Sequence, residues 1–355
     1  MFLSYCDRTR WAPVVYVSGG LSGPGGFWEP AIRGLGIKVV VLRGGQLAKM
    51  WQFRTACIAQ GARRFFSWSS YTNGFSLALT GRDIHCVGSF RGEVFADLPV
   101  RRRPLWAWMS LAGISTAVCN SRETQAKIAR RGGSRVRALF VPNAAESFSP
   151  AQVRAWREDW RARLNLTDAT VLVLGAGSLN VHKRFDRFID VIARVPRELP
   201  IQAVSAGADR GLLADLEARL VSLGLPDRVR FIGMVSDARE LMCAADVFLL
   251  SSDREGMPNV VLEAMAAGVP CVATRVNGVG DLIRPGETGF IVSYDATDLA
   301  EHVTRLATDA DLRRIMGARA RAAIEREFQP ERLARQLWAL CEQPNAPLQT
   351  DIALA

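Results

Sequence analysis

The chain is poor in histidine and has no paired cysteines. Three histidines (His85, His182, His302) among 355 residues argue against a histidine-rich metal centre. The seven cysteines are an odd, scattered set, Cys6, Cys57, Cys86, Cys119, Cys243, Cys271 and Cys341. Cys86, Cys119 and Cys271 fall in apolar, strand-like runs. This pattern speaks against a disulfide framework or a zinc site and for a reducing, cytoplasmic compartment. Long apolar runs are also missing. The opening one ends at Asp7, so no signal peptide is expected. The uncharged stretch 104–121 is shorter than the ~20 apolar residues of a membrane span. It also holds Ser110, Gly113, Ser115 and Thr116, and so reads as a short helix (105–111) followed by a buried strand (114–119). There is no short-period repeat and no low-complexity tail. No basic motif is interleaved with aromatics, so the arginine-rich 313–326 is expected to be a solvated helical face and nucleic acid is not an expected partner.

The remaining composition is that of an ordinary globular protein, 49% hydrophobic and 23% charged. The length suits two domains at ~150 residues each. With 45 Lys and Arg against 35 Asp and Glu, the net charge is +10 and the pI about 9.7. That surplus favours anionic partners (phosphates, anionic lipid or nucleic acid) without choosing among them.

Short apolar runs alternate with helical periodicity. Strands are predicted at 14–17, 38–42, 64–68, 84–87, 114–119 and 138–141, then at 171–174, 201–205, 229–232, 247–250, 271–273 and 290–292. Helices are predicted at 185–195, 212–223, 238–245, 260–267, 296–306, 311–325 and 330–340. Strand, helix, strand with short connections implies parallel sheets covered on both faces, in two series separated by the polar stretch 147–167. Ligands of such sheets bind beyond the strand carboxyl ends, in the cleft expected between two facing α/β domains.

Two segments carry chemistry. In the first, Ser251 to Gly268, a buried strand enters a polar loop with Glu255 and Gly256, and Pro258 suits a first helical position. The helix carries Glu263. Its amino end would offer free N–H groups and a positive dipole to an anion. Two carboxylates eight residues apart suit a ligand with hydroxyls at both ends and phosphates between. Equally, Glu255 could be a solvated loop residue and Glu263 the partner of an arginine. In the second segment, Val173 to Asp186, a strand ends in Gly175-x-Gly177, but Asn180 stands where a dinucleotide fingerprint has its third glycine. Lys183, just before the helix, could face a diphosphate or simply solvent.

Together these segments resemble the family-four retaining glycosyltransferases of GT-B fold, clearly over 113–341 and faintly before. The residues that carry the likeness are Val118-Cys-Asn-Ser121, Val141-Pro-Asn143, Gly177 to Lys183, the Glu-x7-Glu element from Glu255 to Glu263, Asn277-Gly-Val-Gly280 and Gly286-x-x-Gly289. The resemblance implies two Rossmann-like domains with parallel sheets facing a cleft. Residues 1–148 would form an acceptor-side domain, 149–168 a linker and 169–328 the nucleotide-sugar-binding domain. Residues 329–343 would be a helix packing back towards the first domain, and 344–355 a tail. It further implies that Lys183 binds the donor diphosphate, that Glu255 lies near the transferred sugar, that the amides of Gly256, Met257, Pro258 and Asn259 cradle sugar and phosphate (with Pro258 contributing only its backbone path), and that Glu263 takes the ribose hydroxyls. Such enzymes transfer sugar with retention, and no metal or cofactor is expected.

The chain departs from this pattern in two places. Ser178 replaces the family's arginine next to Gly177, and Arg91, in Ser89-Phe-Arg-Gly92, is the candidate substitute beside the alternative of a solvated arginine. At the front, Asp7 to Trp11 leading into the strand at 14–17 looks like the end of the family's first helix. Roughly one strand and most of a helix are therefore expected to be absent, with Gly19-Gly20 and Gly23 to Gly26 left as a surface loop. The basic run 101–103 ahead of Trp106 and Trp108 would suit anionic membrane carrying lipid-linked acceptors, or else be a solvated loop with both tryptophans in the core. The expected activity is transfer of a sugar from a nucleotide-sugar to a glycan or glycolipid in cell-surface polysaccharide synthesis, on the cytoplasmic side. The alternatives are a nucleotide-sugar epimerase on the same fold and a donor-binding, inactive homologue.

Overall fold

A computed structural model describes residues 2–19, 28–95, 98 and 103–342. The chain forms two compact units, one up to residue 142 and again from 330 on, the other Asn143–Gln329. The glycines at 20 and 23–26, Arg101, Arg102 and the tail 344–355 lie outside the described residues.

The first unit holds β1 (Val14–Val17), β2 (Lys38–Val41), β3 (Arg64–Phe66), β4 (His85–Phe90), β5 (Thr116–Cys119) and β6 (Arg137–Phe140). β1 and β2 pair with each other, and β3-β4-β5-β6 form a separate four-stranded sheet. Every pairing is parallel. β4 and β5 are buried almost throughout, as strands covered on both faces must be. The strand predicted over 64–68 ends at Phe66, and the one over 114–119 begins at Thr116. A helix at Gln46–Ala59 escaped the periodicity because Leu47 and Trp51 face outwards while only Phe53 and Cys57 are buried, so its apolar residues share no stripe. In the helix Arg103–Ala112, Trp106 stacks on Tyr71 at 4.9 Å, but Trp108 is 60% exposed and does not join the core. The C-terminal helix Pro330–Glu342 belongs to this unit. Trp338 stacks on Phe2 at 4.6 Å, and the Arg64 Nε donates to the Cys341 carbonyl at 2.6 Å.

The second unit is one six-stranded parallel sheet of β7 (Val171–Ala176), β8 (Ile201–Ala206), β9 (Val229–Phe231), β10 (Val247–Leu250), β11 (Cys271–Thr274) and β12 (Gly289–Val292), in the order β12-β11-β10-β7-β8-β9. The winding starts at β7, runs outwards to β9, then returns to the other side of β7 with β10. β7, β10 and β11 are wholly buried. The helix Pro150–Arg163 starts at a capping box, in which the Ser149 hydroxyl accepts from the Gln152 N–H and the Gln152 side chain accepts from the Ser149 N–H. From it Arg157 and Arg161 reach Asp246, at 2.6 and 3.1 Å, directly before β10. Both units are thus Rossmann-like α/β folds. Among the described residues no helix is long and apolar enough to cross a membrane.

Candidate functional site

In a doubly wound sheet, ligands settle beyond the carboxyl ends of the strands where the strand order reverses. Here that point lies between β7 and β10, which pair Val247 with Val173. The two loops leaving these strands are the two segments singled out in the sequence. They meet through an ion pair, with the Lys183 Nζ 2.7 Å from the Glu255 Oε1. Both side chains are largely withdrawn from water, at 23% and 12% exposure. The Ser252 hydroxyl donates to the same carboxylate oxygen at 2.8 Å. Glu255 is therefore not a solvated loop residue, and Lys183 is not a solvated surface lysine.

The backbone holds the loops together. The Asp253 N–H donates to the His182 carbonyl at 2.8 Å, and the Ser251 hydroxyl to the Lys183 carbonyl at 2.9 Å. Arg187, a buried cation on the helix Phe185–Arg194, donates to the Ser251 carbonyl (2.6 Å) and to Asp253 (2.7 Å). Arg184, in the left-handed region at φ 53°, forks between Asp186 and Asp253. Asn180 explains the incomplete glycine fingerprint. Its Oδ1 accepts the N–H groups of His182 and Lys183, closing the turn with a side chain instead of a third glycine, and its Nδ2 donates to the Ser178 hydroxyl. Gly177, at φ 145°, would set a Cβ 3.3 Å from the Lys183 Cε, so a side chain there would press on the lysine stem.

Beyond Glu255 the chain passes Gly256 and buried Met257 into the helix Asn259–Ala266. Pro258 is the cap, in extended conformation, and not the first helical residue, and the helix begins one residue before the predicted 260. Gly278 supports this loop by close approach: at φ 77°, a Cβ on it would lie 2.0 Å from the Gly256 carbonyl oxygen. Asn143 holds the loop from the other side, donating to the Met257 carbonyl (3.1 Å) and the Asn259 Oδ1 (2.7 Å). Glu263 projects from the second turn of the helix. Burial pushes its carboxyl up to about 7 against the downward pull of Arg239, with Asp237 adding to the rise. Arg239 is the arginine that acts on Glu263, while its direct ion pairs go to Asp237 at 2.7 Å and Glu146 at 2.9 Å.

Arg91 belongs to the first unit. Its Nε donates to the Ser89 hydroxyl at 2.9 Å, its guanidinium lies 4.7 Å over the Trp68 ring, and burial pushes it down to about 10. It is therefore not a solvated arginine. Sequence reasoning missed the bracing by Arg184, Arg187 and Asn143. The arginines carry no mark that separates them from the chain's many others, whereas Asn143 stood in a quoted motif without a role. Among the described residues no three His, Cys, Asp or Glu side chains are grouped to hold a metal.

Fold and site together define a Rossmann-like α/β protein with a largely buried Lys183–Glu255 ion pair at the switch point of its second sheet. The family described as glycosyl transferases group 1 matches residues 170–309, which spans both loops. The lipopolysaccharide core biosynthesis mannosyltransferase LpsB of Rhizobium meliloti is 34% identical over 266 residues, 70% of this chain and 71% of its own length. The chain belongs to the group 1 glycosyltransferases. An N-acetyl-alpha-D-glucosaminyl L-malate synthase of Bacillus anthracis is 30% identical over 172 residues, 48% of this chain and 45% of its own. The lipopolysaccharide core biosynthesis glycosyltransferase LpsE of Rhizobium meliloti shares 33% over 172 residues, 48% and 49% of the two chains. This chain thus spans about half the length of several curated relatives. Anabaena Alr3699/HepE, solved with UDP and glucose, superposes with a TM-score of 0.81 at 19% identity over 96% of this chain and 94% of its own, a likeness of fold.

Proposed function

We propose that the protein transfers a sugar, with retention of configuration, from a nucleotide-sugar to a glycan or lipid-linked acceptor in the synthesis of cell-surface polysaccharide. The observation that carries this reading is the Lys183–Glu255 pair at the switch point of one sheet, with Glu263 on the helix that leaves the same loop. The names of the relatives in lipopolysaccharide synthesis and the UDP in Anabaena HepE support it. Nothing in the comparisons favours an epimerase.

The chemistry assigned to each group is what the family resemblance implies, and the surroundings of Lys183 and Glu255 suit it. The Lys183 ammonium, held by Glu255, exchanges that carboxylate for a diphosphate and stabilises the charge that develops on the leaving phosphate, ordinarily the largest catalytic term. The sugar C1–O bond to phosphate breaks as the C1–O bond to the acceptor forms on the same face, and the acceptor's proton goes to the departing phosphate oxygen. Glu255 remains beside the sugar, and the amides from Gly256 to Asn259 cradle sugar and phosphate without a metal. Glu263 accepts ribose hydroxyls. A phosphate role for Arg91 rests on the resemblance alone. Exposed Leu105 and Trp108 on the helix Arg103–Ala112 support a peripheral seat on anionic membrane.

The test is thermal stabilisation by nucleoside diphosphates and nucleotide-sugars, with Lys183→Ala and Glu263→Ala as controls. Nuclear magnetic resonance of the product's anomeric centre then reads retention. A folded protein that no nucleotide stabilises contradicts the proposal.

A further inference from the structure

Glu263 has a cation near it that is held by other carboxylates. Its carboxyl, partly buried on the helix Asn259–Ala266, feels the pull of Arg239 and the push of Asp237, and among the described residues no hydrogen bond or ion pair reaches it. Arg239 stands in the first turn of the neighbouring helix Ala238–Ala244. Three of its five N–H groups are engaged. Nε and Nη2 fork onto the two oxygens of Asp237 at 3.1 and 2.7 Å, and Nη1 reaches a Glu146 oxygen at 2.9 Å. Asp237 first, and after it Glu146 and Glu263, hold the guanidinium above its usual value, so three carboxylates share one cation. The helix Ala310–Glu327 also packs on the helix of Glu263, but its Arg321 is engaged by Glu325 (2.9 Å) and the Phe148 carbonyl. β10 and β11 beneath bring no acid or base besides the buried Cys271 thiol.

The two carboxylates that hold Arg239 are not equally fixed. Asp237 grips the guanidinium by two bonds and also caps the helix, accepting the Arg239 backbone N–H at 2.9 Å. Glu146 is 56% exposed, lies outside helix and strand between β6 and the helix Pro150–Arg163, and makes one bond to Arg239. An exposed single pair of this kind contributes little, so Glu146 is the partner that can be exchanged. An ionised Glu263, partly withdrawn from water, needs a counter-ion more than Glu146 does.

We infer that Glu146 and Glu263 compete for Arg239. Glu146 holds the cation while Glu263 carries its proton. When Glu263 gives that proton to solvent and accepts a ligand's hydroxyls, the guanidinium leaves Glu146 for Glu263 and keeps Asp237. Arg239 is thus a positioning residue for the hydroxyl-binding carboxylate, and Glu146 opposes binding from outside the ligand's reach. The competition rests on the hydroxyl-binding role proposed for Glu263 and on no other part of that reading.

The test reads the Glu263 carboxyl directly, by carbon-13 nuclear magnetic resonance of the glutamate-labelled chain across pH, with the signal assigned by its loss in Glu263→Gln. Glu146→Gln should lower the Glu263 midpoint by about half a pH unit, about threefold in the ionised fraction at pH 6, the worth of one exposed ion pair. Arg239→Gln should raise it by about one unit, and Arg239→Lys, which keeps the charge, should return it most of the way. In the Arg239→Gln background the effect of Glu146→Gln should vanish, because the two act through one contact. Adenosine, cytidine, guanosine and uridine diphosphates are then titrated at pH 6, where Glu146→Gln should bind the accepted one about threefold more tightly than the unaltered chain. An unmoved midpoint in Glu146→Gln, or a shift that persists without Arg239, would overturn the inference. So would a bound nucleotide whose affinity ignores Glu146→Gln. Shifted midpoints in a chain that binds none of the four would bear out the competition and refute the donor site instead.

Discussion

Replacing Glu263 by glutamine isolates a proton that the fold places at the site. The carboxyl is held at about 7, raised by burial from an ordinary 4.5. The folded state therefore keeps a proton that the unfolded state has lost, and stability falls as pH rises from about 4.5 to about 7. At 1.36 kcal/mol per unit this amounts to about 3 kcal/mol. A carboxylate that accepts ribose hydroxyls must be ionised, so the ligand binds only the deprotonated fraction, about a tenth at pH 6, half at pH 7 and nine tenths at pH 8. Affinity should rise about tenfold from pH 6 to pH 8, with ~0.9 proton released per ligand at pH 6 and ~0.5 at pH 7. Calorimetry in buffers of different ionisation enthalpy counts those protons. The Glu263→Gln variant, which cannot titrate, supplies the ligand's own slope for subtraction. Its thermal midpoint should lose the decline between pH 4.5 and 7. Wild-type binding that takes up protons, or a proton count equal to that of Glu263→Gln, would refute the assignment of Glu263 as the hydroxyl acceptor.

Three further outcomes follow from the same geometry. Lys183→Ala should weaken nucleoside-diphosphate binding about 10- to 100-fold, the worth of a charge-assisted contact; unchanged affinity by titration calorimetry would remove Lys183 from the phosphate site. Gly278→Ala combines a φ of 77° with a Cβ 2.0 Å from the Gly256 oxygen, so it should cost at least about 2 kcal/mol in a denaturant titration and weaken donor binding through the 256–259 loop. Asp246→Ala leaves Arg157 and Arg161 without their shared carboxylate and the Leu172 N–H without its 2.8 Å acceptor. A loss of about 3–5 kcal/mol is expected, and a loss under 1 kcal/mol in the same titration would contradict the reading of this pair as structural.

The second unit was more legible in sequence than the first, and packing explains why. β7 and β10 are wholly buried, so they appear as unbroken apolar runs, and the helix Phe185–Arg194 keeps its apolar residues on one stripe. The helix Gln46–Ala59 has no such stripe, because Leu47 and Trp51 turn outwards, and its periodicity vanished with it. Site chemistry was legible where it is local. Glu255, Gly256 and Glu263 lie within nine residues of one another, and Lys183 stands at a strand-to-helix turn. What brings Lys183 and Glu255 to 2.7 Å across 72 residues is the reversal of winding at β7, a property of strand order that no local pattern encodes.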